Sequence, residues 1–130
     1  MSSIFTKIIN REFKSYIVDE TSDYIAILAK DQIQPGHTLV IPKVGVDNYL
    51  DMTSLEYSKL QDYVHSVASM LKKAYPDKSR IVMNIVGFEV PHCHVHLIPA
   101  NSIDEAFHTE PKNYSEEEMT EILKLILDNK

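Results

Sequence analysis

The sequence predicts an α+β domain built on an antiparallel sheet. Strand-like runs and amphipathic helical runs fall in separate blocks: three strands, a long helix, two strands and a last helix. A doubly wound parallel sheet alternates its strands and helices, so the segregated order argues against one. The first three strands are joined by short connections, which a meander permits and a parallel crossover does not. Length is the third observation. The chain has 130 residues and no Gly/Ser-rich or Pro-rich linker, so it reads as one domain over 1–130. A chain of this mass buries about two thirds of its surface, enough for a core without disulfides or structural metal.

The elements follow in order. Ile4, Phe5, Ile8 and Ile9 recur at helical spacing, so a short helix is expected over Ile4–Arg11. Tyr16–Val18 and Tyr24–Leu28 read as strands joined by the polar turn Asp19–Asp23. Pro35-Gly36 marks a turn, and His37–Ile41 a third strand closed by Pro42. Lys43–Leu50 reads as a loop. Thr53 and Glu56 have the spacing of a capping box. Leu60, Val64, Val67, Leu71 and Ala74 then line one face of a helix that stops near Tyr75-Pro76. Arg80–Val86 is the fourth strand, Gly87 a turn and His92–Ile98 the fifth strand. Ser115 and Glu118 cap a final helix over about 115–128, with Ile122, Leu123 and Ile126 on its apolar face. Its acids come early and Lys124 late, as the helix dipole prefers.

Composition narrows the function. Net charge is −6 with no basic stripe, which argues against nucleic acid as a partner. No apolar run approaches the ~20 residues of a membrane span. The single Cys93 excludes an internal disulfide and suits a reducing compartment. The first residues lack a signal-peptide pattern, so a cytoplasmic location is the expectation.

The chemistry concentrates in Val90-Pro-His92-Cys93-His94-Val95-His96-Leu97, which holds three of the six histidines. On a strand, alternation aims His92, His94 and His96 one way and Cys93, Val95 and Leu97 the other. Neighbouring rings would stand about 6.5–7 Å apart. Two imidazolium charges at that distance repel by roughly 2.4 kcal/mol at an effective dielectric near 20. Such a row therefore titrates as a coupled set, and at least one ring stays neutral at pH 7. A neutral ring can attack phosphorus or act as a base, and a charged one can hold a phosphoryl anion. Three imidazoles can equally hold zinc with an open fourth position. Spacing alone leaves phosphoryl chemistry and metal chemistry both open. Cys93 has the wrong parity for a fourth ligand, and no second cluster of acids or histidines is apparent.

The flanking residues add a resemblance. His92-Cys-His94-Val-His96-Leu-Ile resembles the signature of the histidine-triad (HIT) family of nucleotide-binding proteins. Gly36-His37-Thr-Leu-Val-Ile-Pro-Lys43 is similar to that family's second signature, and Ile4–Glu12 to its N-terminal segment. The likeness covers about residues 3–107. It implies a HIT-like fold, a five-stranded antiparallel sheet with two main helices, usually as a homodimer. It implies a hydrolase acting at the α-phosphate of nucleoside 5′-phosphate conjugates, phosphoramidates or dinucleoside polyphosphates, through a nucleotidyl-histidine. A purine nucleotide is the expected ligand, with no cofactor and no metal.

Carried over by position, His94 is the nucleophile and His96 binds α-phosphate oxygens. His92 orients His94, and His37 supports from the neighbouring strand. Phe5, Ile8, Ile27 and Leu28 would line the base pocket. Asn84 matches an asparagine that contacts ribose or phosphate. Glu89 and Val90, from the segment that leads into the triad, complete the expected nucleotide-binding set. Two departures stand out. Ala29 replaces an Asp that binds ribose hydroxyls, and a methyl group accepts no hydrogen bond. Glu89 stands where Ser or Thr commonly assists at the phosphate, and a carboxylate there repels phosphate unless turned away or paired. These departures keep a nucleotide-binding regulatory or adaptor protein as the first alternative to the enzyme. A protein that ligates metal through the three histidines is the second.

Overall fold

The structure is a computed structural model that describes residues 3–130. Its sheet has five strands, β1 (Ile17–Glu20), β2 (Tyr24–Leu28), β3 (Thr38–Pro42), β4 (Arg80–Asn84) and β5 (Val95–Ala100). Every pairing is antiparallel, in the order β1-β2-β3-β5-β4. The helices are α1 (Ile4–Ile9), α2 (Ser54–Ala74), α3 (Ile103–Phe107) and α4 (Glu116–Asp128). The α+β architecture and its five-stranded antiparallel sheet agree with the expectation, and α2 and α4 are the two main helices.

Each main helix begins where its capping box predicts. The Thr53 side chain accepts from the Glu56 amide while Glu56 accepts from the Thr53 amide, and Ser115 and Glu118 repeat the exchange. Leu60, Val64, Val67, Leu71 and Ala74 of α2 are all buried. They pack with Met119 and Ile126 of α4 against Ala26, Leu28, Val40, Cys93, Val95 and Leu97. The opposite face of the sheet carries Ile25, Ile27, Leu39 and Ile41, covered by short α1 through Phe5 and Ile8, and Ile98 and Ala100, against which α3 packs Ala106.

The structure differs from the sequence reading at several boundaries. β1 continues to Glu20, a short 3-10 turn (Tyr49–Asp51) sits in the expected loop, and α3 occupies a stretch read as irregular. β4 ends at Asn84 instead of Val86, ahead of Gly87 at φ +78°. The most informative difference is β5, which starts at Val95 rather than His92. His92, Cys93 and His94 precede it in irregular backbone. The reason is on β3. Continuing the ladder past Val40↔Val95 would bring Pro42 opposite Cys93, and Pro42 has no N–H to give. Its carbonyl is taken by His92 Nε2 at 2.7 Å, and the Cys93 amide turns to the Val46 carbonyl at 2.6 Å. Side-chain parity survives the lost ladder. Cys93 and Val95 still enter the α2 core, while Phe5 on the other face meets His92 and His94.

Candidate active site

One cross-strand row organises the open face. Ile17 pairs with Ile27, Ile27 with Leu39, Leu39 with His96, and His96 with Asn84. Directly paired residues project on the same side of a sheet. The row therefore carries an apolar floor from β1 to β3 and a polar end on β5 and β4. Three expected site residues, Ile27, His96 and Asn84, belong to it.

Phe5 joins the two ends. Its ring lies 4.8 Å from His94 and 5.9 Å from His92, centroid to centroid. It also walls a cavity of about 480 Å³ whose lining includes Ile8, Ile27, Leu28 and Leu39. All four residues expected at a base pocket thus border one cavity. Leu28 does so differently from the rest. Its side chain belongs to the α2–α4 core, as its strand parity requires, so it bounds the cavity from behind. Leu39 and Phe13 were not singled out in the sequence. Leu39 was within reach, since it stands two residues after His37 on a strand and so on the same face.

The histidine protons can be placed from their partners. The Ile33 amide donates to His37 Nδ1 at 3.2 Å, so the His37 proton sits on Nε2. His37 Nε2 then donates to His96 Nδ1 at 3.0 Å, which leaves the His96 proton on its own Nε2. Burial, reinforced by His96, pushes His37 down to about 3. Burial, reinforced by His94, pushes His96 down to about 4. Both rings are neutral at pH 7, which fits the relay. Desolvation is the larger cause, ahead of the mutual repulsion read from the spacing.

His94 takes the opposite tautomer. The His92 carbonyl accepts from His94 Nδ1 at 2.8 Å, so the lone pair of His94 lies on Nε2. His92 is buried and held at both ends. Its Nε2 donates to the Pro42 carbonyl at 2.7 Å, and its Nδ1 meets Ser3 Oγ at 2.9 Å. Ser3 is also the N-cap of α1, accepting from the Thr6 amide at 3.1 Å. It fastens the helix bearing Phe5 and Ile8 to the histidine loop, a role with no motif to reveal it.

Two ring nitrogens of the four site histidines have no hydrogen-bond partner among the described residues: Nε2 of His94, a lone pair, and Nε2 of His96, an N–H. The two rings are 5.1 Å apart. Asn84 adds a buried Oδ1 with no partner among the described residues, cross-strand from His96. The arrangement does not resemble a metal centre. His92 has both nitrogens engaged, and among the described residues no three His, Cys, Asp or Glu converge as ligands.

The other expected residues, Glu89 and Val90, directly precede the histidine segment. Val90 is half-buried against the Phe5–Ile8–Ile27 cluster. Glu89 is exposed in the loop before the triad and makes no ion pair or hydrogen bond among the described residues. Ala29 is buried on the cavity face, and Asp31 is exposed with its carboxylate accepting from Asn113 at 3.1 Å. His65 and His108 are exposed and remote in role, His108 pairing with Asp104.

The model of the HIT domain matches residues 10–103, so the chain belongs to the HIT family. An uncharacterised HIT-like protein of Saccharolobus solfataricus is 35% identical over 105 residues, covering 78% of this chain and 76% of that protein. The crystal structure of a hypothetical histidine triad nucleotide-binding protein from Sulfolobus tokodaii superposes with a TM-score of 0.79 at 31% identity, covering 97% of this chain and 90% of that one. An asymmetrical bis(5′-nucleosyl)-tetraphosphatase of Schizosaccharomyces pombe is 36% identical over 96 residues, which cover 68% of this chain but 50% of that longer enzyme. No helix among the described residues is long and apolar enough to cross a membrane.

Proposed function

We propose that the protein is a nucleotide-binding hydrolase that cleaves nucleoside 5′-phosphate conjugates at the α-phosphorus, with His94 as covalent nucleophile. One observation carries the reading. His94, with a lone pair on Nε2, and His96, with a proton on Nε2, have rings 5.1 Å apart, and Phe5, packed on His94, walls an apolar cavity sized for a base. The name of the Schizosaccharomyces pombe relative supports the substrate class, and phosphoramidates share its reacting α-phosphate.

In this mechanism the base enters between Phe5, Ile8, Ile27 and Leu39. His94 Nε2 attacks the α-phosphorus, a P–N bond to the ring forms and the bond to the leaving group breaks. The leaving group departs with the electron pair and takes a proton from solvent. His96 Nε2–H donates to the phosphoryl oxygen, where charge builds. The nucleotidyl-imidazole carries a positive charge, which the His92 carbonyl stabilises through Nδ1–H. Water then attacks phosphorus, the P–N bond to His94 breaks, and the ring recovers its lone pair as the proton leaves to solvent. Asn84, cross-strand from His96, offers its carboxamide at the phosphate end of the row. A homodimer paired along β4 fits the same reading, since β4 is a sheet edge with Met83 half-exposed.

The test is release of AMP from adenosine 5′-phosphoramidate and from a dinucleoside tetraphosphate. Turnover is expected with chelator present, with label from an α-³²P substrate trapped on His94 after an acid-free quench. A protein that binds AMP but turns over neither substrate is a binding protein, and the hydrolase reading fails. Activity lost to chelator and restored by zinc favours the metal reading.

A further inference from the structure

Gln32 is the most completely engaged buried polar side chain in the fold. It is 1% exposed. Its Nε2 donates to the Ala29 carbonyl at 2.6 Å and to the His37 carbonyl at 2.9 Å, and its Oε1 accepts from the Gly36 amide at 3.0 Å. Both carboxamide protons and the oxygen are therefore spent on the backbone of one connection, the segment Ala29–His37 between β2 and β3. The main chain of Gln32 is held as well, exchanging two hydrogen bonds with Lys112 at 2.8 and 2.9 Å.

This connection delivers the next residue's amide. Ile33 N–H points at His37 Nδ1, and no other donor among the described residues reaches that nitrogen. His37 itself is pinned through its carbonyl, which accepts from both Ala29 N–H and Gln32 Nε2. Gly36 lets the loop close here. It sits at φ +93°, and a Cβ in its place would lie 2.5 Å from the Tyr75 ring. Without the carboxamide of Gln32 three buried backbone groups keep fewer partners or none, which drives the loop to rearrange.

We propose that Gln32 is a positioning residue for the site: its carboxamide holds the loop that presents the Ile33 amide to His37, and so fixes which nitrogen of His96 carries the proton that faces the substrate. The proposal rests on the reading above for what that proton does. The tautomer relay itself, Ile33 to His37 to His96, is independent of any substrate.

The experiment uses the full chain with Gln32→Met, which keeps length and volume without hydrogen bonds, and Gln32→Glu, which keeps the acceptor for Gly36 but loses both donors. Ring ¹⁵N shifts of His37 and His96 are recorded without ligand, and kcat and KM are measured on adenosine 5′-phosphoramidate. Wild type is expected to show one tautomer, protonated at Nε2, on both rings. Gln32→Met is expected to show mixed tautomers on both, with kcat down about 10- to 100-fold and KM within about threefold. Gln32→Glu changes in the same direction. A core variant of matched stability, Val67→Ala, keeps the single tautomers. Unchanged tautomers in both Gln32 variants overturn the proposal, and so does a matching change in Val67→Ala. Should neither variant fold, the wild type decides: both Gln32 carboxamide protons are expected to resist exchange, and rapid exchange overturns the proposal. If wild type hydrolyses nothing, the function reading fails while the tautomer measurement still judges Gln32.

Discussion

The two faces of this sheet are made from the same strands and do opposite things. On one face Ala26, Leu28, Val40, Val95 and Leu97 meet α2 and α4 in a continuous apolar core. On the other, Ile27, Leu39, His96 and Asn84 form a row that only the six-residue α1 approaches. Alternate residues of one strand thus serve stability and chemistry separately. The covered face supplies rigidity and the open face leaves a cavity, two free ring nitrogens and an unpaired amide oxygen. A fold divided in this way should let mutation separate folding from turnover.

The largest effect tests that division directly. His94→Ala removes the attacking nitrogen, and AMP release should fall by at least about 10³-fold. Its urea midpoint should stay near wild type. Leu97→Ala, on the opposite face, should lose about 2–5 kcal/mol of stability. Its kcat at a temperature where it remains folded should stay within about threefold of wild type. A His94→Ala protein as unstable as Leu97→Ala, or a folded Leu97→Ala protein without turnover, would show that the faces are not separate. Phe5→Ala comes next, because Phe5 touches both cavity and triad. KM should rise about tenfold or more with a smaller fall in kcat. A change confined to kcat would place Phe5 in support of His94 rather than in the ligand pocket.

How much of this was legible differs between the faces too. The covered face was written in periodicity: the buried stripe of α2 and both capping boxes were readable because each rests on contacts within a few residues. The triad's parity was readable from alternation alone. The end of the β5 ladder was not, because it depends on Pro42 of a distant segment and on the imidazole that takes its carbonyl. The tautomers were hidden for the same reason. They are set by backbone groups of Ile33 and His92, which carry no signature in side-chain identity. Gln32 and Ser3 carry no sequence signature, since their partners become neighbours only in the folded chain. Glu89 is placed beside the triad by sequence position, and in the fold it is exposed.

The pH dependence of stability sharpens the comparison at its polar end. His37 and His96 are held at about 3 and about 4, below the ordinary histidine value of 6.5, so the unfolded chain binds more protons between those limits. Stability is fully present above about pH 6.5 and is lost as pH falls from there toward the folded values. For fully buried His37 the loss between pH 7 and pH 5 is about 2 kcal/mol. Partly exposed His96 adds less than its shift suggests. Urea midpoints measured across this range should decline in wild type and decline less in His37→Gln. Identical slopes in the two proteins would mean that His37 is not buried in its neutral form.

The smallest effect concerns Ala29, where the open face lacks an acceptor. Ala29 is 5% exposed and shares the parity of Ile27, so its methyl group faces the same cluster as the proposed base pocket. Its backbone is already committed, with N–H to the His37 carbonyl and its own carbonyl to Gln32. The neighbouring carboxylate of Asp31 is exposed and accepts from Asn113. The Ala29 position itself therefore offers a ribose hydroxyl no acceptor, and wild type should handle adenosine and 2′-deoxyadenosine phosphoramidates within about threefold in kcat/KM. Ala29→Asp supplies an acceptor worth about 0.5–1.5 kcal/mol per hydrogen bond. It should raise the preference for the ribonucleoside by about two- to tenfold. A wild type that already prefers ribose strongly would assign that recognition to Asn84 at the other end of the row, and Asn84→Leu should then abolish the preference while Ala29→Asp leaves it unchanged.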